Sequence, residues 1–144
     1  ELEHYHPHFD RRHNVNLVAT VILGDKFDWE ISGRWNLGTA FPFTQTQGYY
    51  EKINFDKIYT DYTEQNGELG FLYADLNGGR LSDYHRLDIN IKKRFLLSER
   101  SSIEVDASVV NVYNRKNVFY IDRLTQETIY QLPIMPSLGI TWRF

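Results

Sequence analysis

The chain has 144 residues, a formal net charge of -3 at pH 7, no cysteine and an aromatic content of 15%. A charge balance this close to neutral leaves no basic surface for phosphates, so nucleic acid is not expected as a partner. Without cysteine the chain has neither a disulfide framework nor a thiolate metal site, and nothing else points to a cofactor. No run of residues approaches the ~20 apolar positions of a spanning helix, which excludes a helical membrane protein.

Residues 1–12 are polar and have no clean period. His4, His6 and His8 are spaced so that they would line one face of a strand, as the ligands of a metal would. No carboxylate or cysteine completes a recognisable ligand set, so a solvated loop is favoured over a metal site. Because the first residue is Glu1 rather than methionine, we expect the chain to be a processed or excised part of a longer protein.

Two long strands are predicted next, because apolar and polar residues alternate with a period of two. The first covers residues 13–23, the second covers residues 27–37, and a short turn at 24–26 joins them. The second has the cleanest alternation in the chain, and its length matches the ~9–11 residues that a tilted strand needs to cross the hydrocarbon layer. Its apolar side carries Phe27, Trp29, Ile31, Gly33, Trp35 and Leu37.

Residues 38–83 keep no sustained period, which predicts a long irregular connection rich in acidic and aromatic residues. Connections longer than ~12–15 residues are uncommon in compact domains unless they have a function. The segment 75–79 is similar to a calcium loop but lacks the later bidentate glutamate, so a plain turn is favoured. Four tyrosines of this connection are candidate ligand-contacting residues: Tyr49, Tyr50, Tyr59 and Tyr62.

Alternation resumes in three further predicted strands, at residues 84–95, 102–114 and 136–144. A short turn at 96–101 separates the first two. The second of them loses its phase at Val109–Val112, where we expect a β-bulge. A hairpin formed by residues 118–122 and 128–132, with a five-residue connection, is predicted before the last strand.

The polar sides of these strands are strongly charged. They carry Asp28, Glu30, Arg34, Arg86, Asp88, Lys92, Arg94, Glu104, Asp106 and Arg143. A soluble barrel would pack its apolar side inward and show these charges to water. A membrane barrel turns its apolar side to lipid and its charges to a wet lumen. Alternation alone is compatible with both arrangements.

The connections alternate in length, being short at 24–26 and 96–101 and long at 38–83 and 115–135. Outer-membrane barrels have this asymmetry, with short periplasmic turns and long extracellular loops. Five strands cannot close a barrel, since the smallest spanning barrels have about eight and an open edge in lipid leaves backbone groups unpaired. We therefore expect an all-β fold, an antiparallel transmembrane β-barrel to which this chain contributes about the last five strands.

The last nine residues end in the pattern Gly139-x-x-Trp142-x-Phe144. This pattern resembles the C-terminal signal by which bacterial outer-membrane barrels are delivered to their assembly machinery. Other segments resemble the C-terminal barrel of TonB-dependent outer-membrane receptors, and in particular those of Bacteroidetes. These segments are residues 38–48, 81–88, 111–117 and 132–139.

The resemblance implies a barrel of about 22 strands around an N-terminal plug. Residues 1–144 would be the C-terminal part of the barrel domain, and the plug and the earlier strands are absent from them. The implied location is the outer membrane of a Gram-negative bacterium, and the implied function is active uptake of a scarce nutrient such as a metal chelate, cobalamin, a peptide or a glycan. The charged residues of the polar sides would form the lumen wall.

The resemblance also implies a set of partners. They are the rest of the barrel and its plug, the TonB complex through the missing N-terminal part, the barrel assembly machinery and outer-membrane lipid. No plug and no TonB box occur within the 144 residues, so this segment alone could neither gate the barrel nor couple it to energy.

Two other function classes compete with this hypothesis. A soluble β-barrel or sandwich that binds a small apolar ligand would need Trp29, Trp35 and Trp142 to point inward, shielded from solvent. An enzyme is the least favoured, because no serine, histidine and aspartate arrangement with a nucleophile elbow is present. Glu104 and Asp106 share one strand face without the partner that acid–base catalysis by a carboxylate pair needs.

Overall fold

The structure is a computed structural model that describes residues 4–26, 28–52 and 67–144. Every regular element in this described part is a β-strand, which confirms the all-β prediction. None of the described residues forms a helix with the length and hydropathy that crossing a membrane requires. In chain order the strands are β1 (Asn14–Leu23), β2 (Trp29–Gly38), β3 (Pro42–Phe43), β4 (Thr46–Lys52), β5 (Glu68–Tyr73), β6 (Gly79–Arg80), β7 (Tyr84–Ser98), β8 (Ser101–Val110), β9 (Val118–Ile121), β10 (Thr128–Tyr130) and β11 (Met135–Arg143).

The described residues divide into two compact units. The first contains the described residues of Glu1–Asp10 and Phe41–Leu81, and the second contains those of Arg11–Ala40 and Ser82–Phe144. The second unit has a five-stranded antiparallel sheet in the order β1-β2-β7-β8-β11, together with the β9–β10 hairpin. The first unit has the antiparallel pairs β3–β6 and β4–β5.

The five strands of the sheet coincide with the five predicted from alternation, apart from shifts at their ends. β1 and β2 pair without interruption along their whole length. Gly24 begins the turn between them at a φ of 94°, a conformation that residues with a side chain rarely adopt. Phe27 lies outside the described residues. β7 continues to Ser98 and β8 begins at Ser101, so the turn between them is shorter than predicted.

β8 ends at Val110 rather than at Asn114. The Val112 N–H donates to the Leu87 carbonyl at 2.8 Å, one residue out of register with the pairing of Ile89 and Val109, so an extra residue lies within the segment where the bulge was predicted. The pairing of β8 with β11 keeps one register as far as Val110 opposite Met135. Asn111 follows the last residue of β8 and has a left-handed φ of 56°, which interrupts the regular strand conformation. A second register shift lies in the pairing of β7 with β8 between Leu96 and Ser98, just before their turn.

In its described residues, the connection between β2 and β7 is not the irregular segment that the sequence predicted. β4 and β5 pair with Tyr49 opposite Phe71 and Tyr50 opposite Gly70, and β3 pairs with β6. These strands are rich in aromatic residues, which favour sheets, but each is too short to show a sustained period. The segment 75–79 contains a plain turn, as predicted.

A hydrophobic core is missing from the described residues, in which Ala40 and Pro42 are the only buried apolar side chains. The sheet is a single layer, and its outer strands β1 and β11 each pair on one side alone. The described residues therefore form no closed barrel. Leu138 and Ile140 are 72% and 69% exposed. An apolar sheet face of this kind needs another apolar surface against it.

Candidate functional site

The sheet separates charged and apolar residues onto opposite faces, because its strands pair with one phase from β1 to β11. We call the side of the sheet that carries the charges the charged face. Its charged residues are Glu30, Arg34, Arg86, Asp88, Lys92, Arg94, Glu104, Asp106 and Arg143. These are the predicted lumen-wall residues except Asp28, which lies in the turn before β2.

Opposite charges face each other across the strands of the charged face. Lys92 lies opposite Glu30 on β2 and opposite Asp106 on β8, so one cation stands between two anions. Arg34 lies opposite Asp88 on the same face. Directly opposed unlike charges favour this register, and a slip by one residue would move every one of them to the other face.

Hydrogen bonds join several of these side chains. The guanidinium of Arg86 donates to Asp88 at 2.9 and 3.1 Å, and the amide of Asn90 donates to Asp106 at 2.9 Å. Arg94 lies 3.4 Å from Glu104. The charged face is therefore close to electrically balanced, and it offers both donors and acceptors to whatever lies against it.

The opposite side of the sheet, the apolar face, is built from the alternating residues of the same strands. One row across it consists of Val21, Ile31, Ile91, Ala107 and Leu138. The apolar face is widely exposed, most of all on β11. Exposed apolar patches far above a few hundred Å² mark surfaces that are covered by a partner or by lipid.

One lysine interrupts the apolar face. Lys93 lies opposite Trp29, with its ammonium 4.4 Å from the centre of the indole ring and 5.6 Å from the centre of the Phe95 ring. The ammonium also donates a hydrogen bond to the carboxylate of Asp28. This hydrogen bond holds the pKa of Asp28 below its ordinary value. The sequence pattern placed Lys93 on the apolar side but did not reveal its partner.

Two buried asparagines form hydrogen bonds at the end of the sheet where the long connections begin, opposite to the end with the short turns. Asn111 and Asn117 are fully or almost fully buried. Asn117 accepts the backbone N–H of His85 at 3.2 Å and donates to the His85 carbonyl at 2.9 Å. Asp83 accepts the Ala40 N–H at 2.9 Å. These bonds join the ends of neighbouring strands, and sequence reasoning missed them because nothing in the spacing links their partners.

The predicted assembly signal lies at the end of β11. Gly139 faces Asp106 on the charged face. Trp142 is 63% exposed and donates its indole N–H to Ser101 at 3.1 Å. The ring of Phe144 lies 5.6 Å from that of Trp142 and is 95% exposed. Two aromatic rings are thus presented to the surroundings rather than packed.

Two of the predicted ligand-contacting tyrosines, Tyr49 and Tyr50, lie in the described part of the first unit. Tyr49 packs edge-to-face on Phe71 at 5.6 Å between ring centres, and Phe71 stacks on Tyr73 at 6.0 Å. Tyr50 lies on the other side of the same pair of strands, above Gly70. Tyr59 and Tyr62 lie outside the described residues.

Among the described residues no group of three or more histidine, aspartate or glutamate side chains is arranged to hold a metal ion. His6 lies 3.5 Å from Asp10, and His4 and His8 do not complete a ligand set with them.

Comparison of the chain with protein-family models, with curated proteins and with solved structures returned no match.

Proposed function

We propose that this chain forms the last five strands of a transmembrane β-barrel, and that this barrel belongs to a TonB-dependent outer-membrane receptor. The observation that carries the proposal is a five-stranded sheet with one apolar and widely exposed face, one charged face and no hydrophobic core in the described residues. Lipid acyl chains would cover the apolar face, and water in the lumen would hydrate the charged one.

The height of the apolar face supports a membrane position. On β7 the apolar face extends from His85 to Phe95. Ten residue steps of ~3.3 Å on a strand tilted by about 40° span roughly 25 Å, the height of the apolar band of outer-membrane barrels. Aromatic rings of Trp29, Phe95 and Trp142 lie near one limit of this band, and His85 with Tyr113 near the other. Such girdles are typical of barrels.

The two outer strands support a larger barrel. β1 and β11 each have one edge without a strand partner among the described residues. In hydrocarbon each unpaired backbone group would cost several kcal/mol, so further strands of the same protein must pair with both edges. The β4–β5 pair and the β9–β10 hairpin belong to the two long connections, which are extracellular in this arrangement.

The charged face supports the role of lumen wall. Its charged side chains form hydrogen bonds, both along a strand and across strands, that a plug could exchange without leaving an isolated ion. The receptor would take up a scarce nutrient through this lumen with energy from TonB. Tyr49 and Tyr50 would contribute to ligand capture outside.

The alternative, a soluble barrel around an apolar ligand, requires shielded tryptophans. Trp29 is 40% exposed, Trp142 is 63% exposed and Trp35 is half-buried. The exposure of the indoles therefore favours the membrane barrel.

Spin labels test which face of the sheet contacts lipid and which contacts water. Single cysteines at Leu138 and at Ser137, introduced into the full-length protein in outer membranes, place neighbouring labels on opposite faces of β11. We expect the label at 138 to be accessible to oxygen and the label at 137 to a water-soluble nickel complex. Equal accessibility of both labels to the nickel complex would refute a lipid-facing apolar side.

A second test concerns the receptor itself. The reading frame that encodes this chain should continue several hundred residues upstream of Glu1 and encode a plug with a TonB box. A reading frame that begins near Glu1 would contradict the receptor assignment, even if the spin labels support a membrane barrel.

A further inference from the structure

The apolar face carries one formal charge among its described residues, that of Lys93. Its side chain is 21% exposed and that of Asp28 is 27% exposed, so the ion pair is half-buried rather than extended into solvent. Trp29 and Phe95 lie beside the ammonium and are 40% and 46% exposed. A lysine that merely snorkels extends its head into water, whereas this one is held against two rings by a carboxylate.

The pair lies close to one limit of the apolar face, two residues from Phe95 on β7, where a lipid headgroup can reach it. Lys93 and Asp28 lie at the end of the sheet where the short turns are, which is the periplasmic end under the proposed function. Below them on the same face are the aliphatic residues Ile91 and Ile31. A lipid whose acyl chains lie along these residues would therefore bring its headgroup to the ion pair.

We propose that Asp28 and Lys93, flanked by Trp29 and Phe95, bind the phosphoethanolamine headgroup of a phospholipid in the inner leaflet of the outer membrane. The lipid phosphate accepts a hydrogen bond from Lys93, and the primary ammonium of the ethanolamine donates to the carboxylate of Asp28. This inference rests on the proposed function, because it needs the apolar face to lie in a bilayer.

The charges of the pair select this headgroup over others. A zwitterion offers an anion to Lys93 and a cation to Asp28, so both protein charges remain paired. A phosphatidylglycerol headgroup carries the same phosphate for Lys93 but has no cation for Asp28, so this carboxylate would gain an anion nearby without a compensating partner. A choline headgroup has a cation without N–H groups and cannot donate a hydrogen bond to Asp28. The indole of Trp29 and the ring of Phe95 offer flat apolar surface to the lipid glycerol region.

Native mass spectrometry of the full-length protein in detergent tests the proposal with defined lipids. We expect the unmodified protein to retain phosphatidylethanolamine at least about tenfold more strongly than phosphatidylglycerol or phosphatidylcholine, the effect of one charge-assisted hydrogen bond. Lys93→Met should lose this preference. Lys116→Met is the matched control, because Lys116 also lies near an aromatic ring, that of Tyr130 at 5.6 Å, but belongs to the connection between β8 and β9, whereas the proposed headgroup lies at the end of the sheet with the short turns.

Two further variants separate a binding role from a structural one. Lys93→Arg keeps a cation for the phosphate and should retain phosphatidylethanolamine. Asp28→Asn removes the partner of the ethanolamine and should shift the preference of the protein towards phosphatidylglycerol. Equal retention of the three lipids by the unmodified protein would overturn the proposal, and so would an unchanged preference in Asp28→Asn.

A separate measurement distinguishes failure of the headgroup proposal from failure of the proposed function. Urea-resistant insertion of the unmodified protein into vesicles measures whether it is a membrane barrel. Insertion without lipid preference refutes the headgroup site alone, and failure to insert refutes both.

Discussion

Asn111 shows how one side chain can end a strand and close the loop that follows it. Its amide N–H groups donate to the carbonyls of Arg115 at 3.0 Å and Leu132 at 3.1 Å, and its amide oxygen accepts the Arg115 N–H at 3.0 Å. Its own backbone N–H donates to Asp88 at 3.0 Å. Asparagine tolerates the left-handed φ better than most residues do, so conformation and hydrogen bonding both require it here.

Replacement of this side chain tests that account. Asn111→Leu should lower the free energy of unfolding by about 3 kcal/mol, because buried groups lose their partners and leucine is strained at a positive φ. Denaturant unfolding of the full-length protein in detergent measures the change. Asn16→Leu, on an exposed stretch of β1, should change it by less than about 0.5 kcal/mol. Equal effects of both substitutions would contradict the account.

Asp122 gives a pH-dependent prediction in the turn between β9 and β10. Its carboxylate accepts the backbone N–H groups of Thr125 at 2.9 Å and Leu124 at 2.8 Å, and these bonds, that from Thr125 first, lower its pKa. A pKa lowered in the folded state means that the stabilisation is present above the usual value of ~3.9 and is lost as the pH falls through the lowered value.

The turn should therefore open progressively as the pH falls below the usual value of ~3.9 and through the lowered pKa, and hydrogen exchange of the Leu124 and Thr125 amides, corrected for the intrinsic rate, should report it. Asp122→Asn keeps an acceptor oxygen without a charge, so its exchange should not depend on pH in this range. A pH dependence that persists in the variant would point to another group.

At the scale of an element, the β4–β5 pair depends on the close approach of a ring to a glycine. The backbone of Gly70 is covered by the ring of Tyr50, so a methyl group at position 70 would meet ring atoms at 2.5 to 2.8 Å. At Gly48, on the partner strand, a methyl group would meet no atom within 4 Å. The two glycines thus offer a matched pair of substitutions within one element.

We expect Gly70→Ala to displace the Tyr50 ring and to destabilise the β4–β5 pair by about 1 kcal/mol, while Gly48→Ala is tolerated. Limited proteolysis of the folded protein, with cleavage sites in residues 46–73 identified by mass, measures local opening. Faster cleavage of Gly48→Ala than of Gly70→Ala would show that the ring does not hold the pair together.

At the scale of the whole molecule, the absence of a core among the described residues decides how substitutions on the two faces should behave. Leu138 lies in the row of Ile91, close to the middle of the apolar face, and Ser137 is its neighbour on the charged face. An arginine at 138 would face hydrocarbon, and an arginine at 137 would face a wet lumen.

Leu138→Arg should therefore cost about 2–4 kcal/mol and reduce the amount of folded protein in the outer membrane, whereas Ser137→Arg should cost about 1 kcal/mol or less. The heat-modifiable fraction on gels of isolated outer membranes measures the folded amount. Similar yields of the two variants would contradict the assignment of the faces.

The sequence by itself determined which residues form the long strands and how each strand divides into a polar and an apolar side. The reason is local: side chains alternate along any strand, and the pattern Trp29, Ile31, Gly33 and Trp35 has this period without reference to the rest of the chain. The short strands β4 and β5 could not be predicted in this way, because they are stabilised by pairing with each other rather than by a period of their own.

Only the tertiary structure decided which residues meet. Lys92 stands between Glu30 and Asp106 because β7 pairs with β2 across a long connection, and Asp28 reaches Lys93 although 65 positions separate them. No local pattern encodes such contacts, since they depend on strand order and register. The same holds for the absence of a core among the described residues: alternation defines two faces, but only the arrangement of the strands decides which of them remains uncovered.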